Sequence, residues 1–157
     1  MKTTDKFVFF WNGIYSQWYP SRFEINEIPF TSCEQYMMYE KAMLFGDEEI
    51  AQQVLVAQHP DEQKKLGKLV KGFDRTIWDQ NCFSIVYRGN YAKFTQNEDL
   101  KEQLLATGDR VLVEASPYDF IWGIKKSEDD DTINFPSNWM GLNLLGFVIM
   151  TVRNQLR

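Results

Sequence analysis

The 157-residue sequence contains one histidine and two cysteines. That scarcity excludes several chemistries at once, because His-rich metal sites and Ser/His/Asp triads both depend on imidazole. The single His59 precedes Pro60, and X-Pro pairs favour extended or turn geometry, so it reads as a turn residue ahead of a helix. Cys33 and Cys82 lie far apart and form no CxxC pair, which points away from a zinc knuckle or a disulfide scaffold and toward a reducing, cytoplasmic setting. Long apolar runs are also lacking. Nothing approaches the roughly 18 apolar residues of a membrane span, and the run inside MKTTDKFVFFW is too short for a secretory signal, so no membrane partner is expected. There is no basic tail, and a formal net charge of -5 argues against a broad basic face for duplex nucleic acid. A local basic pocket is compatible with that charge. The acidic run at 127–131 lacks the interspersed turn residues and closing bidentate Glu of a calcium loop and reads as a solvated loop. No metal and no cofactor is expected, and nothing in the chain fixes an oligomeric state.

Aromatic side chains, in contrast, are abundant: 5 Trp, 7 Tyr and 12 Phe. They need either a well-packed interior or a cavity in which flat ligands stack. With 44% hydrophobic residues and the length of one ordinary domain, 1–157 is expected to be a single domain with its own core.

The segment 7–11 predicts a short strand, followed by an irregular arm to Phe30 punctuated by Asn12, Gly13, Pro20 and Pro29. Thr31 or Ser32 caps a helix through CEQYMMYEKAMLF that Gly46 stops, and Asp47 starts a second. Pro60, with Asp61 and Glu62 beside the positive helix end, begins a third that runs to Gly72. From Asp74, apolar spacing predicts a long helix despite Gly89; Asn97 caps a further helix closed by Gly108. VLVEAS alternates as a strand, and 139–156 is apolar enough for a central buried helix. The expected fold is therefore mainly α with minor β, compact and multihelical.

Five blocks then stand in order along the chain: SQWYPSRF, CEQYMMYEKAMLF, GNYAKFTQNEDLKEQLLATG, EASPYDFIWG and WMGLNLLGFVIMTVR. Together they resemble the motif set of the YbiA-like, or NADAR, family over nearly the whole chain. The resemblance implies a YbiA-like fold and hydrolysis of an N-glycosidic bond, with a ribosylamino-pyrimidine phosphate of riboflavin synthesis as substrate. Alternatives within its reach are removal of ADP-ribose from modified nucleobases, which would make nucleic acid a partner only as a modified substrate, and a non-catalytic NAD/ADP-ribose-binding module. A ribosyl C1'–N bond breaks through an oxocarbenium-like state, which asks for a carboxylate near the developing charge and an activated water.

Residue by residue, the resemblance implies catalytic roles for Glu34, although Cys33 stands where Ser is common, and for Asp119 in EASPYDFIWG. Alone, a Glu at a helix start is a capping or dipole-matching residue. Lys41 lies seven positions after Glu34, about two turns, so both project from one face; it either holds a phosphate or sits in a structural ion pair. Trp78 and Trp122 offer flat surfaces for a base, with a core anchor as the other reading of Trp78. Gly123 permits a close backbone approach. Arg88 and Lys93 match basic positions suited to a substrate phosphate, or they belong to a solvated basic face. Two departures from the family pattern, Lys68 in place of Arg and Ile124-Lys125 after the Trp-Gly pair, bear on phosphate recognition and on the pocket lip.

Overall fold

The computed structural model describes residues 1–157. In chain order it contains β1 (Lys2–Thr3), β2 (Phe7–Phe10), β3 (Phe23–Ile25), β4 (Ile28–Phe30), α1 (Cys33–Leu44), α2 (Glu48–Val56), α3 (Pro60–Gly67), α4 (Arg75–Gln96), α5 (Glu98–Leu105), β5 (Val111–Glu114), a 3-10 turn at Pro136–Asn138 and α6 (Leu144–Leu156). The mainly helical expectation holds. No helix is long and apolar enough to cross a membrane. The chain forms two compact units, Pro20–Asn97 and the combination of Met1–Tyr19 with Glu98–Arg157.

In the first unit α1 packs against α2, α3 and α4. Ser32 caps α1 by accepting the Gln35 amide, and Asp47 caps α2 by accepting that of Ile50, as short polar side chains do for the orphan donors of a first turn. A buried polar network then fixes the start of α1. The Gln35 amide donates to the Val54 and Leu55 carbonyls while its oxygen accepts from the Thr31 amide; Ser32 donates to Gln63, which donates to the Ala57 carbonyl. Each partner occupies a polar group that would otherwise be buried unsatisfied, a cost of about 1–3 kcal/mol apiece.

Three sequence expectations change here. The arm before Phe30 contains a hairpin, β3 paired antiparallel with β4, turning through Asn26 and Glu27 at φ 52° and 65°. Positive φ at both central residues is the geometry of a two-residue hairpin turn usually marked by Asn-Gly; Glu in the second place hid it. The third helix ends at Gly67 rather than Gly72. Gly67 lies so close to α1 that a Cβ there would overlap the Met38 Sδ, and the left-handed Gly72 (φ 74°) stands five residues beyond the helix end. Asn97, expected to cap α5, uses its amide as a donor to the Arg22 and Lys93 carbonyls. The long α4 forms as expected, and Gly89 has a packing reason: a Cβ would lie 2.7 Å from the ring of buried Tyr36.

The second unit is built on a three-stranded sheet ordered β1-β2-β5, β1 antiparallel and β5 parallel to β2. Phe9, Val113, Ala115, Ile124 and Ile133 form its core, with Phe7 and Trp139 packed at the side. The C-terminal helix packs on β5 but begins at Leu144 rather than 139, and Phe147 leaves the expected buried span on the exposed side. Asn143 accounts for the late start. At φ 53° it is left-handed; its side chain accepts the Glu114 amide at 2.9 Å and donates to the Leu112 carbonyl at 3.0 Å. Residues 140–145 meanwhile bond to the 120–124 segment, including Leu142 N–H to the Phe120 carbonyl.

Candidate functional site

In the helical unit, the first turn of α1 carries Glu34 into a buried position directly after buried Cys33. Burial pushes the Cys33 thiol up to about 11; Lys93 opposes the shift and Glu34 adds to it. The residue that replaces the usual serine is therefore a protonated thiol at neutral pH. Two turns along the helix, seven residues after Glu34, Lys41 is half-buried. Its Nζ lies 4.8 Å from the centroid of Phe73 and 5.8 Å from that of Trp78, within the range of cation–π attraction. Burial lowers the affinity of this amine for its proton, the Glu34 carboxylate acts the other way, and Arg75 and Lys68 add to the lowering. Glu34, Lys41 and Trp78, three of the residues singled out in the sequence, thus form one cluster. Phe73 was not singled out; its signal is an exposed Phe just before a helix cap.

Lys93 is fully buried in α4, so the solvated reading of this residue fails. Its Nζ is 5.1 Å from the Phe94 ring. Burial depresses its proton affinity, and Cys33 counteracts that, which ties it to the Glu34 end of α1. Arg88 lies apart. Its Nε donates to the Tyr36 hydroxyl at 3.2 Å and a terminal nitrogen is 3.9 Å from the Glu40 carboxylate, so it steadies Tyr36 against α4 while half of it faces solvent.

Asp119, Trp122 and Gly123 belong to the other unit, in the segment that follows β5. Oδ1 of Asp119 accepts the Ile121 and Trp122 amides, both at 2.8 Å, while the Asp119 amide is donated to the Ser116 hydroxyl at 3.3 Å. This is the local bonding by which Asp organises a tight turn, and it fixes both the carboxylate and the start of the Trp122 residue. Trp122 is half-buried. The close approach that Gly123 permits is to the protein's own backbone: a Cβ would fall 2.9 Å from the Glu114 carbonyl.

Comparison with known proteins bears on the whole chain. The model of the NADAR domain matches residues 9–157. An N-glycosidase of Acanthamoeba polyphaga mimivirus is 43% identical, the match covering 97% of each chain. The chloroplastic riboflavin biosynthesis protein PYRR of Zea mays is 33% identical over 69% of this chain and 16% of its own length. The NMR structure of the E. coli protein YbiA superposes with a TM-score of 0.80 at 23% identity, covering 99% of this chain and 87% of that one.

Proposed function

Because this chain is a member of the NADAR family, we propose that it is an N-glycosyl hydrolase that cleaves the ribosyl C1'–N bond of a phosphorylated ribosylamino-pyrimidine. The observation that carries the reading is the buried Glu34 carboxylate, coupled through α1 to an ammonium held over two aromatic rings. Two relatives support it by name: the mimiviral protein is an N-glycosidase, and the maize protein belongs to riboflavin biosynthesis.

In the reaction, the C1'–N electron pair leaves with the base, which takes up a proton, and a water oxygen bonds to C1' as it gives up a proton. Glu34 is suited to both halves. Its negative charge stabilises the oxocarbenium-like state, and the same carboxylate accepts the proton of the attacking water; in a partly desolvated position each effect is larger than in bulk water. Lys41 supports the ionised carboxylate and offers a cation to an anionic substrate. The ring of Trp78 lies beside Lys41, the buried ammonium of Lys93 lies toward Cys33 at the start of α1, and Arg88 adds a half-exposed cation on α4. Asp119, Trp122 and Gly123, in the other unit, enter the reading only as positions that the family resemblance singles out.

The test is a substrate panel. Purified protein is incubated with ribosylamino-pyrimidine phosphates, NAD, ADP-ribose and ADP-ribosylated DNA, and free base, ribose phosphate and ADP-ribose are measured. Release of ribose 5-phosphate from the first group, abolished in a folded Glu34→Gln variant, is the expected result. Full turnover by that variant removes Glu34 from the reaction, and release of ADP-ribose alone replaces the substrate class.

A further inference from the structure

Two residues apart at the start of the hairpin, Arg22 and Glu24 carry opposite charges that do not meet. Arg22 immediately precedes β3 and Glu24 is its middle residue, so the alternation of a strand sends both side chains away from buried Phe23. Both are exposed. Neither enters any of the chain's ion pairs. Their backbones, in contrast, are pinned from the end of α4: the Glu24 amide donates to the Gln96 side chain and the Glu24 carbonyl accepts from it, both at 2.8 Å, while the Arg22 carbonyl accepts from the Asn97 side chain at 2.9 Å. Arg22 and Glu24 line a cavity of about 350 Å³ whose other walls are Phe23, Pro29, Phe30, Thr31 and Gln96. The Phe23 and Phe30 rings stack at 5.7 Å. Pro29, opposite Glu24 in the hairpin register, has no amide, so β4 adds apolar surface there rather than a donor.

We propose that this cavity binds a free α-amino acid with a large apolar side chain, its carboxylate on Arg22, its ammonium on Glu24 and its side chain against Phe23, Pro29 and Phe30. The volume lies at the lower end of the roughly 300–1,000 Å³ range of small-molecule sites, which suits a compact ligand. Charge selects the zwitterion. An anion alone gains from Arg22 and loses to Glu24, a cation alone does the reverse, and a molecule carrying both charges gains from each. A guanidinium also matches the two oxygens of a carboxylate at once. Because Gln96 and Asn97 hold both backbone positions, the two charges stand on an ordered frame before the ligand arrives. Glu34, Lys41 and Trp78 are not among the lining residues, so the site is separate from the cluster assigned to hydrolysis.

Titration of the intact protein with L-leucine, L-phenylalanine and glycine, followed by NMR, tests the site without reference to turnover. L-leucinamide, which lacks the carboxylate, and N-acetyl-L-leucine, which lacks the ammonium, complete the series. Leucine and phenylalanine are expected to bind with Kd below about 1 mM, and glycine and both blocked forms roughly fivefold or more weakly, the scale of one exposed charge contact. Amide shifts should concentrate between Arg22 and Thr31 and on the Gln96 side chain. In Arg22→Gln the preference for leucine over leucinamide should vanish while that over N-acetyl-leucine persists, and Glu24→Gln should show the opposite pattern. Both positions are exposed, so the variants should melt with the wild type. Absence of leucine binding up to about 10 mM, glycine bound as tightly as leucine, blocked forms bound as tightly as the free amino acid, or leucine affinity unchanged in both variants each overturns the proposal.

Discussion

Substituting Asp119 by alanine and by asparagine separates its hold on the turn from a part in the reaction. Its Oδ1 accepts two backbone amides, each at 2.8 Å, and hydrogen bonds to a charged group contribute about 1.5–3 kcal/mol each. Asp119, Ile121 and Trp122 are half-buried and Tyr118 and Phe120 are exposed, so water replaces part of what alanine removes. The net loss for Asp119→Ala is then roughly 2–4 kcal/mol, a fall in Tm of roughly 4–16 °C for a chain of this size. Asparagine keeps a carbonyl oxygen for both amides and forfeits only the charge, which limits its cost to about 1 kcal/mol. If the carboxylate also takes part in the reaction, Asp119→Asn lowers kcat by about 10²–10⁴ while KM hardly moves, because the lost interaction belongs to the transition state. Thermal and denaturant unfolding of both variants, alongside steady-state kinetics below their melting range, gives all four quantities. An asparagine variant that melts as low as the alanine one refutes the two-amide reasoning. One that turns over at the wild-type rate makes Asp119 a turn residue and nothing more.

Other expectations follow from separate parts of the molecule. Gly89→Ala sets a gain in helix propensity of about 1 kcal/mol against overpacking of Tyr36 at 2.7 Å, which costs about 1–3 kcal/mol; denaturant melts should show net destabilisation, and a stabilised variant means the Tyr36 ring moves freely. Cys33, raised to about 11 by burial, should resist alkylation by iodoacetamide at pH 8 until the protein is unfolded, and rapid labelling of native protein counts against that burial. Since its folded value lies above the unfolded one, Cys33 favours folding below about pH 9 and this contribution, roughly 2–3 kcal/mol, fades as pH rises toward 11; melts from pH 8 to 11 read it directly, with Cys33→Ser as the comparison. Trp122→Ala is expected to weaken substrate binding by about 1–3 kcal/mol if the indole stacks on the base, seen as a higher KM at nearly constant kcat; a fall in Tm with unchanged kinetics makes Trp122 a packing residue.

How far the sequence carried depended on whether a feature was local. Ser32, Asp47 and Asp74 each precede a periodic segment, and each caps the helix it announces, because a cap is decided within four residues. The spacing of Glu34 and Lys41 likewise placed both on one face. What failed was set by partners distant in the chain. Met38 packs directly on Gly67 at the end of α3, and Asn143 turns left-handed to reach Leu112 and Glu114, delaying α6. The Asn26-Glu27 turn was missed because Glu seldom adopts positive φ. At the candidate site, the burial of Lys93 and the bonding of Asp119 to two amides had no sequence signal apart from the family resemblance, whereas Phe73 lay in plain view two residues before Arg75.

Asn143 has a consequence for the protein's behaviour in a crowded solution. β5 is the last strand of its sheet, and an open edge offers its amides and carbonyls to any extended chain that drifts past. Here the Asn143 amide mimics one residue of a neighbouring strand, occupying the outward Glu114 N–H and Leu112 carbonyl, while the Ile124 N–H occupies the Glu114 carbonyl. A short strand of Val, Leu and Val is thereby denied to other molecules, and the delayed start of the last helix is what guards this sheet against growing by the addition of a second chain.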